Sequence, residues 1–200
     1  MKLKIAFFAS GRGSNLQAIL EAIREGWVAA EPVLLVTDRE CGAEEIAKEF
    51  GVPHQRLVAK EFASAEQWQS AVTDAVKASN AELIVLCGYL RLLPAELCKR
   101  FPNRILNIHP GPLPEFGGKG MWGHHVHEAV IASGANWSGP TVHFVNEEYD
   151  KGDIIVHVPV PVLPDDTAET LAVRILPVEH KIFPIVIEQT IAHIFGITSK

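Results

Sequence analysis

Short apolar runs alternate with amphipathic stretches along the first half of the chain. Leu3 to Ala9 carries Leu3, Ile5, Ala6, Phe7 and Phe8, the pattern of a buried strand, and Leu16, Ile19, Leu20 and Ile23 then recur at helical spacing. Val33 to Val36 predicts a second strand, and Ala43, Ile46, Ala47 and Phe50 predict a helix that stops at Gly51. A short strand around Gln55 to Val58 precedes a long helix from about Ser64 to Ala78, with Trp68, Ala71, Val72, Ala75 and Val76 on its core face. Leu83 to Cys87 is apolar throughout, as expected of a strand covered on both faces. A short helix from Pro94 to Arg100 then leads into a strand ending Leu106, Asn107, Ile108, His109. This repeated alternation predicts an α/β fold with a Rossmann-like, doubly wound, mainly parallel sheet.

The pattern changes after His109. Gly111 to Gly123 is rich in Gly and Pro and predicts a loop. A helix from about Gly123 to Ala132 carries His124, His125 and His127. Only His124 and His127 share a helical face, without an acidic pattern of the H-E-x-x-H kind, so no metal site is expected. Thr141 to Val145 and Ile154 to Val160 read as two strands of an antiparallel extension, joined by a carboxylate-rich loop from Asn146 to Asp153. Asp166 and Glu169 have the spacing of a capping box at the start of a final helix, which Pro177 and then Pro184 are expected to break or kink.

Composition narrows the class. With 200 residues and 48% hydrophobic positions the chain predicts one globular unit with room for a small appended lobe. A net charge of −6 argues against nucleic-acid or anionic-membrane partners. Cys41, Cys87 and Cys98 form no C-x-x-C pair, which suits a reducing cytoplasm. Met1 to Ala9 lacks the features of a signal peptide, and no apolar run is long enough to span a membrane.

Four stretches carry candidate chemistry. Ser10, Gly11, Arg12, Gly13, Ser14 and Asn15 follow the first strand and open a helix, presenting free N–H groups and a positive helix end. That arrangement reads as an anion site or as a tight turn that needs glycine; Leu16 replaces the third glycine of G-x-G-x-x-G, and no P-loop lysine follows. Asp38 is either a ribose-binding acid or a turn or cap residue. The apolar loop from Gly88 to Pro94 either lines a pocket for a flat ring or packs under its neighbours. Asn107 and His109, two residues apart, lie on one face at a strand's carboxyl end, where open parallel sheets bind ligands. With a carboxylate from Asp150 they would suit acyl-group transfer, the amide stabilising an oxyanion and the imidazole moving a proton. A core histidine beside a structural asparagine fits the same residues. No G-x-S-x-G is present, so the attacking group would belong to a substrate.

At these motifs the chain resembles the phosphoribosylglycinamide formyltransferase family. The resemblance spans nearly the whole length, through G-R-G-S-N-L-Q-A-I from Gly11, Gly88 to Leu93, N-I-H-P from Asn107, T-V-H-F-V from Thr141, Asp150 with Gly152, and Glu179 with His180. It implies transfer of the formyl group of 10-formyltetrahydrofolate to the amine of glycinamide ribonucleotide in purine biosynthesis, by a monomer or homodimer with no metal, in a single domain (1–200) made of a Rossmann-like phosphate-binding half (1–107) and a folate-binding and catalytic-loop half (108–200). Gly13, Ser14 and Asn15 would hold the ribonucleotide phosphate and Glu179 its ribose or glycinamide end. Leu90, Arg91, Leu92 and Leu93, with Asn107, would border the folate. Asn107, His109 and Asp150 become the catalytic set: Asn107 and a protonated His109 stabilise the oxyanion, and Asp150 keeps the imidazole charged and relays the amine proton. Two departures are visible: a longer glycine-rich loop after Pro114, and Ala65 where some members carry a basic residue near the folate tail.

Rival readings follow from the same residues. Methionyl-tRNA formyltransferase and formyltetrahydrofolate hydrolase share the core but are expected to carry further domains. A nicotinamide-dependent dehydrogenase would use Gly11, Gly13 and Asp38, against which Leu16 counts. A non-catalytic binding protein would hold both ligands without turnover.

Overall fold

The computed structural model describes residues 2–196. Strand and helix alternate through its first part: β1 (Leu3–Ala9), α1 (Ser14–Arg24), β2 (Ala30–Thr37), α2 (Gly42–Glu49), β3 (His54–Arg56), a 3₁₀ turn (Ala59–Glu61), α3 (Ala65–Ser79), β4 (Leu83–Leu86), α4 (Ala95–Arg100) and β5 (Ile105–His109). Then follow α5 (His124–Ser133), β6 (Trp137–Ser138), β7 (Thr141–Phe144), β8 (Ile154–His157), β9 (Val160–Pro161) and α6 (Ala168–Ile194). Seven strands form one sheet in the order β3-β2-β1-β4-β5-β7-β8. The first five are parallel, while β7 pairs antiparallel with β5 and β8 antiparallel with β7. The doubly wound, mainly parallel sheet with its antiparallel extension is therefore as expected.

Each face of the sheet has its own core, because successive strand residues point to opposite sides. Leu3, Ile5, Phe7, Val85, Leu106 and Ile108 pack with Leu16 and Ile19 of α1 and with Phe183 and Ile187 of α6. Ala6, Phe8, Ile84, Leu86 and Ile105 pack with Trp68, Val72 and Val76 of α3 and Leu97 of α4. A third cluster of Phe116, Val126, Val130, Val160, Leu171 and Ile175 holds the 111–123 loop against α5 and the start of α6. Asn107 and His109 alternate with Leu106 and Ile108 and so belong to the α3 and α4 side of the sheet.

Three expectations change. The strand expected over Ile154 to Val160 divides, β8 staying in the main sheet while β9 pairs with β6 in a separate two-stranded sheet. Pro159 supplies no N–H and breaks the ladder between them. The capping box belongs to Thr167 and Thr170, each side chain bonding the other's N–H, rather than to Asp166 and Glu169. Asp166 is held instead by Arg174 and accepts the Leu163 N–H at 2.7 Å. Finally, α6 runs unbroken through Pro177 and Pro184. An interior proline costs about 3 kcal/mol, which the burial of Leu171, Ile175, Phe183, Val186, Ile187 and Ile191 along the same helix offsets at about 1.5–3 kcal/mol for each large apolar side chain.

Candidate active site

The antiparallel pairing of β5 with β7 sets Asn107 directly opposite His143. His143 is buried, and its Nδ1 lies 2.7 Å from the Phe144 carbonyl oxygen, which can only accept, so Nδ1 carries the hydrogen. In the neutral ring, Nε2 then accepts from Asn107 Nδ2 at 3.0 Å. The contact fixes the orientation of the Asn107 amide, and its second N–H has no partner among the described residues. Asp150, in the loop between β7 and β8 with a left-handed φ of 54°, places its carboxylate between two imidazoles. Oδ2 lies 3.7 Å from His109 Nδ1, and Oδ1 lies 3.5 Å from His143 Nε2. Oδ2 also accepts the Gly118 N–H at 2.9 Å, tying the carboxylate to the 111–123 loop. Sequence separations of 32 to 41 residues are thus closed by the fold, and the three predicted catalytic residues meet. His143 is a member of the cluster that reading the sequence missed; an imidazole inside the apolar T-V-H-F-V strand was its only signal.

The resting charge of His109 differs from expectation. Burial pushes its pKa down further than the Asp150 charge and the Phe116 carbonyl raise it, so the ring is neutral near pH 7. Its Nε2 lies 2.8 Å from the Phe116 carbonyl oxygen and therefore bears the hydrogen, leaving Nδ1 unprotonated toward Asp150. Burial pushes the Asp150 carboxyl up, but His143, the Gly118 N–H and His109 together hold it below its ordinary value. The site therefore offers an ionised carboxylate beside an imidazole ready to take a proton. His127 stands nearby on α5, where burial first and then the neighbouring histidines push its pKa down to about 4.

Two further groups flank this cluster. Gly13, with φ 82°, caps α1 without a side-chain bond, and no acidic residue occupies the first turn begun by Ser14 and Asn15. The N–H groups there point beyond the sheet's carboxyl edge, as an anion site requires. Asn15 Nδ2 donates to Glu179 Oε2 at 2.7 Å, across 164 residues, and the buried Asn15 Oδ1 has no partner among the described residues. Burial drives the Glu179 carboxyl above its ordinary value, with the Asn15 amide opposing. The four residues expected to bind the ribonucleotide are thus neighbours.

On the α3 side, an open groove of about 430 Å³ is lined by Trp68, Gln69, Arg91, Leu92, Leu93 and Tyr149, among others. Tyr149 directly precedes Asp150 in sequence, while Asn107, His109, His143 and Asp150 are not among the residues that line the groove. Leu90 is not on its wall; its N–H donates to Ser10 Oγ at 3.0 Å. Asp38 does not cap α2, whose N-cap is Cys41, and its buried carboxylate pairs with Arg39 and Arg91. His124 and His125 pair with Glu128 on the surface of α5, and among the described residues no group of three or more His, Cys, Asp or Glu side chains is arranged to hold a metal ion.

Comparison with known proteins agrees with this geometry. Residues 3–187 match the family described as formyl transferase. The chain belongs to the formyl transferase family. It is 47% identical over 182 residues to a phosphoribosylglycinamide formyltransferase, chloroplastic, of Arabidopsis thaliana, an alignment covering 90% of this chain and 62% of the relative. It is 34% identical to the phosphoribosylglycinamide formyltransferase of Haemophilus influenzae, covering 92% of this chain and 85% of that one. The crystal structure of phosphoribosylglycinamide formyltransferase from Bacillus halodurans superposes with a TM-score of 0.88 at 33% identity, covering 94% of this chain and 95% of that chain. Against the Arabidopsis and Vigna unguiculata relatives the chain spans 62% and 60% of their length. Among the described residues no helix of this family member is long and apolar enough to cross a membrane.

Proposed function

We propose that this chain transfers the formyl group of 10-formyltetrahydrofolate to the amine of glycinamide ribonucleotide, giving formylglycinamide ribonucleotide and tetrahydrofolate in purine biosynthesis. The observation that carries the reading is the cluster of Asn107, His109 and Asp150, which the fold gathers around His143 at the carboxyl end of β5. The names of its relatives agree with it. Gly13, Ser14 and Asn15 hold the phosphate, Glu179 the ribose or glycinamide end, and the 90–93 segment the folate.

The substrate amine attacks the formyl carbon, and the carbonyl electrons move onto oxygen. The second N–H of Asn107 faces that developing oxyanion. The proton released from the attacking nitrogen passes to the Asp150 and His109 pair, and the imidazolium formed at Nδ1 is stabilised by the adjacent carboxylate. The intermediate collapses as the carbon to folate nitrogen bond breaks and that nitrogen takes up a proton. The neutral resting imidazole serves this sequence better than a permanently charged one, because it can accept before it donates.

Residues 1–200 act as one formyltransferase domain in this reading, as a monomer or homodimer on small-molecule substrates, without nucleic-acid or membrane partners. The free thiols of Cys41, Cys87 and Cys98 favour a cytoplasmic setting. The deciding experiment follows the absorbance change as 10-formyltetrahydrofolate becomes tetrahydrofolate, with and without glycinamide ribonucleotide. Turnover should require the ribonucleotide and fall roughly a hundredfold in His109→Ala. Folate release without acceptor would instead identify a hydrolase, and bound folate without release a binding protein.

A further inference from the structure

Asp38 stands at the end of β2, away from the reacting cluster, with its side chain 0% exposed. Its carboxylate is not needed where it sits to start the next helix, which Cys41 caps. It is bound instead from two directions. Arg39 donates to it through Nε at 3.1 Å and Nη2 at 3.0 Å. Arg91 donates through Nε at 3.2 Å from the far side of a 53-residue separation. The Arg91 guanidinium is in turn stacked over Trp68, 5.6 Å from the ring centre, and Trp68 is fixed by its own bond to the Leu57 carbonyl at 3.0 Å.

A second thread reaches the same loop. Ser10 is buried and accepts the Leu90 N–H at 3.0 Å. Ser10 N–H also donates to the Gly88 carbonyl at 3.2 Å. Beyond Leu90, the N–H groups of Arg91, Leu92 and Leu93 make no backbone hydrogen bond among the described residues. The stretch that lines the groove is therefore held at Arg91 by a buried carboxylate and, one residue earlier, at Leu90 by Ser10, while the N–H groups of residues 91–93 stay unpaired by backbone among the described residues.

We propose that Asp38 is a positioning residue for folate binding: by holding Arg91, next to the Leu90 that Ser10 holds, it sets the path of the 91–93 backbone along the groove. This rests on the reading that the 90–93 segment borders the folate. The carboxylate touches neither substrate and takes no part in proton transfer. Its removal changes how well the folate side is pre-organised and leaves the ribonucleotide side, built on α1 and Glu179, as it was.

The test is steady-state kinetics on wild type, Asp38→Asn and Ser10→Ala, varying 10-formyltetrahydrofolate and glycinamide ribonucleotide separately, with calorimetric titration of tetrahydrofolate and a thermal melt for each protein. Asp38→Asn should raise the KM for the folate on the order of tenfold, as for a lost hydrogen bond to a charged group, and weaken tetrahydrofolate equally. The KM for the ribonucleotide and kcat should change less than about twofold, well under the tenfold step of that single bond. Ser10→Ala should move the same constant in the same direction by less, which keeps the question answerable if Asp38→Asn does not fold. A folate KM unchanged in both variants, or both KM values rising together with a lowered melting temperature, would overturn the proposal in favour of a purely structural ion pair. Wild type that neither turns over nor binds tetrahydrofolate would overturn it along with the folate reading itself, a failure recognisable because it needs no variant.

Discussion

At the scale of single residues, the informative quantity is the balance at His109 between burial and the Asp150 charge. Burial wins, so the ring rests neutral and must gain its proton during turnover. The pH profile of kcat/KM is expected to fall on the acid side through a pKa below the ordinary imidazole value of about 6.5. Because Asp150 is the group pulling that pKa upward, Asp150→Asn should move the acid limb of the residual rate to lower pH. A rate that fell instead on the alkaline side would mean that His109 works pre-charged. The sequence made Asn107 and His109 legible through their two-residue spacing at a strand end, and Asp150 as a carboxylate in the loop between two expected strands. It hid His143, because a histidine within an apolar strand looks like any core position until register pairs it with Asn107. It also hid the charge state, since burial, the Asp150 charge and the Phe116 carbonyl act on the ring only once the chain is folded.

Among the elements, α1 shows how little local sequence is needed to make a binding end. Its cap is a glycine in the left-handed region, and a Cβ there would approach the Ala43 Cα to 2.7 Å. Gly13→Ala is therefore expected to combine backbone strain of about 1–2 kcal/mol with a displacement of α2. Thermal denaturation should show the stability loss, and the KM for the ribonucleotide should rise more than that for the folate. Strands and helices with strong periodicity were readable almost to their ends, α3 and α4 differing from expectation by one residue. The misread features were those decided by neighbours. Pro177 and Pro184 sit in a helix whose buried face outweighs their local cost, and Thr167 displaced Asp166 as the cap because Arg174 claims the aspartate.

Over the whole molecule, the bond from Asn15 to Glu179 joins the first helix to the last. The Glu179 pKa is raised in the folded protein, so its stabilising contribution is complete below the unfolded value of about 4.3 and is lost as the pH rises through the folded one. Glu179→Gln carries no such charge. It should melt at a higher temperature than wild type at pH 7, with the difference shrinking toward pH 4, while binding the ribonucleotide more weakly. A difference independent of pH would show that the carboxylate is not the source.

The seam where β5 meets a parallel strand on one side and an antiparallel strand on the other has a consequence in time as well as in space. Asn107 finds His143 only when the later strand has docked, so the reaction centre is assembled from contacts of high sequence separation, which form slowly. During refolding, helix content should therefore recover ahead of activity, and the regain of turnover should time the closing of that seam.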